Sequence, residues 1–388
     1  MISKFLYSIR LLIACIALFL VGGLYANAGT QDLVAGNGES ENAEHSVATE
    51  GKFKPGEMII EHILDAHEWH IATFGHFHLS VPLPVILIDK GKLVTFSSGK
   101  FHHGHEVYKG YKLMLEGENK GKILKVLEDG TLDTAAAKPL DISITKNVVS
   151  LFFSVFLICI IFISIANRYK SNPDRAPKGL QSLLEPLILF VRDDIAIPSI
   201  GKEKYMKYLP YLLTVFFFIF FNNLLGLVPF FPGGANLTGN ISVTLLLALF
   251  TFAITSFSAT KEYWLHIVNT PGVPWWLKLP IPLMPFVEIL GVFTKPFVLT
   301  IRLFANITAG HIIVLTFISL IFIFGNLSPA AGYGSSLLSV PFSVFMTFLE
   351  LLVAFIQAYV FTLLSSIYFG MAIEEHHHEP EISANHTH

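Results

Sequence analysis

The sequence predicts an all-α polytopic membrane protein of about five transmembrane helices, the last two long and strongly tilted, with a small β-rich extracytoplasmic insert. Three observations carry this. Hydrophobic residues make up 53% of the chain and charged ones only 14%, with a mean hydropathy of +0.59, outside the range of an ordinary soluble domain. After Ile142, apolar blocks recur near the ~20 residues a helix needs to cross the hydrocarbon core. Before Ile142, short β-rich runs are punctuated by hairpin-type turns. The formal net charge of −3 comes without the basic patches that nucleic acid demands, so no nucleic-acid partner is expected. Cys15 and Cys159 both lie in apolar runs, which argues against a disulfide framework or a thiolate metal site.

Residues 1–28 read as a signal peptide. Lys4 and Arg10 precede an apolar run from Leu11 to Leu24, and Ala26-Asn27-Ala28 supplies small residues before a mature start at Gly29. Two rival readings are a lipoprotein cleavage box at Leu12–Cys15, which the apolar residues after Cys15 disfavour, and an uncleaved extra helix. Residues 29–55 are polar, acidic and aperiodic, as expected of a flexible linker.

Residues 56–140 form the extracytoplasmic His-rich and β-rich region. Runs from Val81 to Phe101 and from Tyr111 to Leu132 are broken by Asp89-Lys90-Gly91, Gly117 and Asp129-Gly130, which are hairpin signals. His62, His67, His70, His76, His78, His102, His103 and His105 crowd this region. His-x-x-His at 67–70 or His-His-x-His at 102–105 has metal-ligand spacing, but with no thiolate and several spacings available, solvated or proton-buffering histidines are the expectation, and no metal or cofactor is predicted.

The membrane domain spans 141–375. Val148–Ala166, Leu209–Phe231 and Ile241–Thr260 give three crossings. The blocks Ile281–Phe324 and Val340–Ile373 would run roughly 65 and 50 Å as continuous helices, against a core of about 30 Å, so they tilt, bend or break. Pro285 and Pro296 offer bends, and Pro329 with Gly332 and Gly334 offers the turn between the two. Arg168, Lys170, Arg175, Lys178, Arg192, Lys202, Lys204 and Lys207 all fall between the first two crossings, whereas residues 232–240 hold no Lys or Arg. The basic loop is therefore placed in the cytoplasm, the N-terminal region outside, and the His-rich tail 376–388 inside, as solvated chain. Within the loop, apolar residues at helical spacing from Leu180 to Val191 predict an interfacial helix.

Few formal charges interrupt the last two blocks: Glu288, Lys295 and Arg302 in one, Glu350 in the other. Glu288 and Lys295 lie near a helix end, where snorkelling serves. Arg302 has apolar sequence on both sides, and a central arginine costs about 2.5–3.5 kcal/mol on insertion scales, so it must face protein or water and is expected to be functional. Glu288, Lys295, Arg302 and Ala309 recur every seven residues near one stripe, and Asn306 shares its side, while His311 points about 180° from Arg302. Ala305, Ala309 and Gly310 thin the helix beside Arg302 so that a neighbour can pass close. Glu350 and Gln357 share a face of the last helix, so that Gln357 is expected to cap Arg302 and Glu350 to meet His311.

The stretches KPFVLTIRLFANITAGHIIVL and FLELLVAFIQAYVFTLLSSIYFGMAIEEH, supported by YLPYLLTVFFFIFFNNLLGLVPFFPGGANLTGNISVTLLLAL and GLQSLLEPLILFVRDDI, resemble subunit a of the membrane sector of the bacterial rotary ATP synthase. The likeness covers roughly 140–375 and, more loosely, 57–88; the β-rich insert near 89–135 falls outside the usual family pattern. The resemblance implies a proton-channel stator in the bacterial inner membrane, partnered by the rotor ring (a subunit c oligomer), the peripheral stalk subunit b and lipid. It makes Arg302 the stator arginine facing the ring carboxylate, with Asn306 and Gln357 as its polar neighbours. Glu288 would line the cytoplasmic half-channel, and His311, Glu350 and Asn240 the outer one. Better-known members carry Glu at the His311 position and His at the Glu350 position, an exchange that fits a contacting pair; Gly226 stands where some relatives have an acid. The competing class is a secondary transporter using Arg302 to bind an anionic substrate, but the inverted hydropathy repeats it calls for are not seen. A membrane metalloenzyme lacks any zincin or P-loop motif, so the chain is expected to be non-catalytic with no nucleotide site.

Overall fold

The computed structural model describes residues 55–374 apart from 75–76, 116–118, 128–130, 134–135, 172–175, 229–232 and 269–282. The signal peptide and its rivals, nearly all of the linker, the tail 376–388 and the turns at Gly117 and Asp129-Gly130 lie outside the described residues.

The described chain opens with helix α1 (Pro55–Ile63), followed by strands β1 (Glu68–Phe74), β2 (Phe77–Pro82), β3 (Pro84–Asp89), β4 (Lys92–Ser97), β5 (Tyr111–Leu113), β6 (Ile123–Lys125) and β7 (Leu140–Asp141). All pairings are antiparallel: β1 with β2, β4-β3-β7 as a three-stranded sheet, and β5 with β6. Lys90 and Gly91 form the predicted two-residue turn, both at positive φ (48° and 79°), which Gly91 adopts without steric cost. Alternation along β3 buries Val85 and Leu87 against Phe101, Tyr111 and Ile123. Asp89 ties this small core together, accepting hydrogen bonds from Tyr111 Oη and Lys125 Nζ, both at 2.9 Å. The Lys125 hydrogen bond, more than any other contact, holds the Asp89 carboxyl below its ordinary range. The hairpin β1–β2 and strand β7 extend beyond what the turn signals predicted.

The insert joins the membrane domain through hydrogen bonds. Strand β7 continues along β3 through Ile142 N to Ile86 O and Ile144 N to Pro84 O before entering α2 (Lys146–Ser171). The first N–H groups of a helix lack partners within it. Here Asp65, distant in sequence, accepts from Asn147 N (3.0 Å) and Thr145 Oγ1 (2.7 Å), placing an acid at the positive end of α2. His67 is buried and pairs with Asp141 at 2.9 Å. Burial pushes the Asp141 carboxyl up, but the His67 contact and the Ser143 donors outweigh it and hold the group below the usual range. His103 meets Glu68 at 2.8 Å and His102 meets Glu106 at 3.6 Å. Among the described residues no three His, Cys, Asp or Glu side chains gather as a metal cage.

Among the described residues five helices are long and apolar enough to cross a membrane. Besides α2 they are α5 (Tyr205–Leu227), α6 (Ile241–Ser258), α8 (Leu283–Leu327) and α9 (Pro329–Ile373). Between α2 and α5 lie α3 (Leu180–Phe190), a π-helical turn (Val191–Ala196) and the single turn α4 (Ile197–Ile200); α7 (Lys261–Val268) follows α6. Helix α3 forms where helical spacing predicted one, with Leu184 buried and Leu180 and Leu183 exposed. The core is apolar and aromatic: Leu212, Phe216 and Ile219 of α5 pack with Val191, Ile195, Leu303, Phe361 and Phe369. Each of α8 and α9 is a single helix of 45 residues, and α8 continues through Pro285 and Pro296.

The link between them is tighter than the sequence suggested. Ser328 alone connects α8 to α9, its side chain accepting from Ala331 N, so Gly332 and Gly334 lie inside α9 rather than in a turn. Gly332 serves close approach: a Cβ added there would sit 2.8 Å from Gly325 Cα. At the other end of α9 the free carbonyls are taken by Lys204 Nζ on Ile373 O (3.3 Å) and Thr260 N on Ala372 O (2.9 Å). Gly370 packs directly on α4, and a Cβ there would lie 2.0 Å from Ser199 O, a backbone atom that cannot swing aside. Gly370→Ala is therefore expected to cost about 2 kcal/mol or more and to lower the amount of chain retained in membranes several-fold by quantitative immunoblot; an unchanged amount and thermal stability would contradict this contact.

Candidate functional site

Helix α8 carries the candidate residues on faces fixed by its packing. Leu299, Leu303 and Ile307, at spacing four, form the stripe buried against α6 and α9. Arg302 and Asn306 lie beside that stripe and are exposed on the outside of the bundle. Val298 (43% exposed) and Ile301 (38%) surround the arginine with bare apolar surface. Among the described residues nothing hydrogen-bonds or ion-pairs with the guanidinium. In particular, no hydrogen bond joins it to Gln357, the cap expected from the sequence, because Gln357 is turned into the bundle and buried. Tyr368 lies within electrostatic reach of Arg302.

On the opposite flank of α8, His311 Nδ1 is in hydrogen-bond contact with a Glu350 carboxylate oxygen, as the helix-face argument anticipated. Their side chains are only 11% and 6% exposed. A pair this buried in an apolar bundle is tolerated because each partner satisfies the other. Gly310 makes the room: a Cβ there would stand 3.1 Å from Glu350 Oε1. Gly226 on α5 makes further room, its virtual Cβ lying 3.6 Å from His311 Nε2 and 3.6 Å from Ala235 O.

These contacts bring the connection before α6 alongside the pair. Asn223 links Thr238 Oγ1 (2.6 Å) to the Ala354 carbonyl of α9 (3.2 Å). Asn240 caps α6, accepting from Ser242 N at 3.0 Å, a structural task that typifies Asn at this position. Among the described residues Asn222 Oδ1 and Asn236 Nδ2 are buried and meet no hydrogen-bond partner. Buried polar atoms of this kind are where water is normally held. Sequence reasoning passed over Asn222, Asn223 and Asn236; the cluster of asparagines in otherwise apolar sequence was the available signal.

Towards the Leu283 end of α8, Glu288 and Lys295 do not simply snorkel. Lys295 is half-buried, its Nζ standing 5.3 Å from the Tyr368 ring centre and 5.8 Å from that of Tyr263 on α7. Both Lys295 and Tyr263 feel the charge of Glu288. Thus the structure separates the candidates into three places: Glu288 and Lys295 at one end, Arg302 and Asn306 bare at the middle, and His311, Glu350 and Asn240 towards the other end, with Gln357 inside.

Residues 148–370, more than half of the chain, match the family model described as ATP synthase A chain. Residues 58–142 match a domain of unknown function, DUF8433, which coincides with the β-rich insert. Among curated proteins, the chain is 39% identical over 363 residues to ATP synthase subunit a 2 of Chlorobaculum tepidum, covering 91% of this chain and 83% of that one. It is 47% identical over 354 residues to ATP synthase subunit a of Pelodictyon phaeoclathratiforme, covering 89% and 84%. With ATP synthase subunit a of Myxococcus xanthus it shares 45% identity over 253 residues, covering 64% and 78%.

Proposed function

The chain belongs to the ATP synthase A chain family, a multi-pass membrane protein of ATP synthesis and proton transport, and from that premise we propose that it is the stator of the proton channel, with Arg302 as the charge that acts on the rotor. The observation carrying this reading is the bare guanidinium on an exposed apolar face of α8. An arginine turned to lipid is costly, so a partner must supply its counter-charge. A ring of subunit c whose ion-binding carboxylate passes this face supplies it. In lipid that carboxylate is protonated because its ion is poorly solvated; opposite Arg302 the positive charge favours the ion, and the proton leaves. A guanidinium never gives up its own proton, so it also bars protons from slipping between the two aqueous routes.

The outer route comprises His311, Glu350 and the neighbouring buried asparagines with Asn240; the inner one begins at Glu288. Asn306 flanks the arginine on α8, while Gln357 is turned into the bundle. Histidine suits a relay because its ordinary pKa lies near neutrality. With the basic α2–α5 connection in the cytoplasm, the N-terminal region and its β-rich insert lie in the periplasm and the C-terminal tail inside the cell. Each proton then gains about 2.3 kcal/mol per 100 mV on its way through, and ring rotation passes that energy to a remote catalytic sector. The chain itself is non-catalytic, and its partners are the ring, the peripheral stalk subunit b and lipid. The signal peptide 1–28, linker 29–55, extracytoplasmic region 56–140, membrane domain 141–375 and tail 376–388 are the corresponding units.

Cysteine cross-linking tests which face meets the ring. In the assembled complex, cysteines replacing the exposed Val298 or Ile301 should form disulfides with cysteines scanned along the outward helix of subunit c. Cysteines replacing the buried Leu299 or Leu303 should form none. Ring cross-links from both faces alike, or from neither, would sink the assignment.

A further inference from the structure

A narrow crevice, barely wide enough for water, lies between α6, α7, α8 and α9 on the Leu283 side of Arg302. Its walls carry Thr251, Thr255 and Ser256 of α6, Tyr263 of α7, Lys295 of α8 and Tyr368 of α9. These polar groups are set in a mostly apolar lining, and one of them, Thr251, belongs to a buried hydroxyl chain: Tyr211 Oη meets Thr251 Oγ1 at 2.8 Å, which in turn meets Ser365 Oγ at 3.3 Å. The single full charge on the wall is Lys295. Two tyrosine ring faces hold its ammonium at 5.3 and 5.8 Å, a geometry in which the ring quadrupole stabilises the cation without neutralising it.

The other charged and titratable groups near it are few. Glu288, on the same helix, is within electrostatic reach, but among the described residues no carboxylate stands within ion-pair distance of the ammonium. Helix α6 offers only hydroxyls, α9 offers Tyr368, and α7 offers Tyr263 flanked by the exposed Lys261 and Glu262. Seven residues separate Lys295 from Arg302, about 10 Å along the helix and nearly one stripe. A positive charge kept at that distance, with Glu288 near but outside ion-pair distance, extends the field of Arg302 towards the inner mouth.

We propose that Lys295, clamped between Tyr263 and Tyr368, is a second fixed cation of the inner proton route, which keeps the rotor carboxylate ionised as it passes the inner mouth and so sets the cytoplasmic proton concentration needed to reload the ring. This rests on the stator reading above. Lys295 is a positioning residue here: no proton passes through it, and its charge acts on the group that does carry one. Removing the charge raises the carboxylate's affinity for protons, so loading from the cytoplasm continues to higher pH.

The test uses inverted membrane vesicles containing the complete ATP synthase, in which the cytoplasmic face meets the medium. The initial rate of ATP-driven acidification is followed against medium pH and divided by uncoupled ATP hydrolysis at the same pH. Lys295→Gln should move the alkaline fall of this ratio upward by about 0.5 to 1 pH unit, roughly a three- to ten-fold lower proton concentration, while Lys295→Arg should retain the parent profile. A Lys295→Gln profile with unmoved pH dependence, at whatever rate, overturns the proposal. Should that variant fail to accumulate in membranes, Tyr263→Leu/Tyr368→Leu decides, since it keeps the charge but releases it from its rings: a smaller shift in the same direction supports the proposal and no shift refutes it. Vesicles with Arg302→Ala run alongside. Pumping there would sink the stator reading itself, whereas silent Arg302→Ala vesicles beside an unmoved Lys295→Gln profile would sink only this inference.

Discussion

Arg302→Ala is expected to abolish ATP-driven proton pumping to below about one-hundredth of the parent rate while the complex still assembles. Folding should survive because the guanidinium makes no hydrogen bond or ion pair among the described residues and is exposed on the bundle surface, so its loss leaves no cavity and no orphaned partner inside the chain. Function should not survive. An intramembrane carboxylate facing a positive charge at short range in a medium of effective dielectric near 20 is favoured in its ionised form by about 4 kcal/mol, roughly a thousand-fold in proton affinity. Without that charge, the ring carboxylate keeps its proton on passing the stator. Arg302→Lys is expected to restore only part of the rate, since lysine can shed its charge when desolvated and has no planar fork. The measurement is vesicle acidification by ATP, normalised to immunodetected complex; sustained pumping by Arg302→Ala would remove the arginine from the mechanism.

The second large effect concerns the buried pair. His311→Ala or Glu350→Ala leaves one ionisable group in an apolar pocket without its partner, a situation that costs about 3–5 kcal/mol when the charge is retained. Each single change should reduce proton flux at least ten-fold. The exchanged double variant, His311→Glu with Glu350→His, keeps both groups and their contact across α8 and α9 and should hold several-fold more flux than either single change. Steric room favours the exchange, because Gly310 and Gly226 border the pair on both sides. Equal loss in all three variants, measured as passive proton conductance of membranes stripped of the catalytic sector, would refute their action as a pair.

Much of this arrangement was legible in the sequence. Helical geometry alone separated the Arg302 face from the His311 face and brought Glu350 to His311, because α8 and α9 are long, regular and packed along most of their length. Hydropathy delimited the crossings to within about five residues except at the start of α9, which begins at Pro329 rather than Val340, and Asp89-Lys90-Gly91 marked the β3–β4 hairpin. Other features depend on contacts distant in sequence, which periodicity does not encode. The burial of Gln357 follows from how α9 rotates against α5. The clamp on Lys295 needs α7 and the last turns of α9 to meet. The Asp65 contact with the first turn of α2 joins residues 82 apart. The turn near Pro329 was misjudged because glycine ordinarily signals chain reversal, while Gly325 and Gly332 are used for helix contact.

That contact makes the α8–α9 hairpin a ruler. His311 and Glu350 are separated by 39 positions, all of it helix except the single joint at Ser328, so no slack exists to absorb a change in chain length. Inserting or deleting one residue anywhere between them would swing one member of the pair about 100° around its axis. Between these two positions the residue count itself is therefore fixed by the fold.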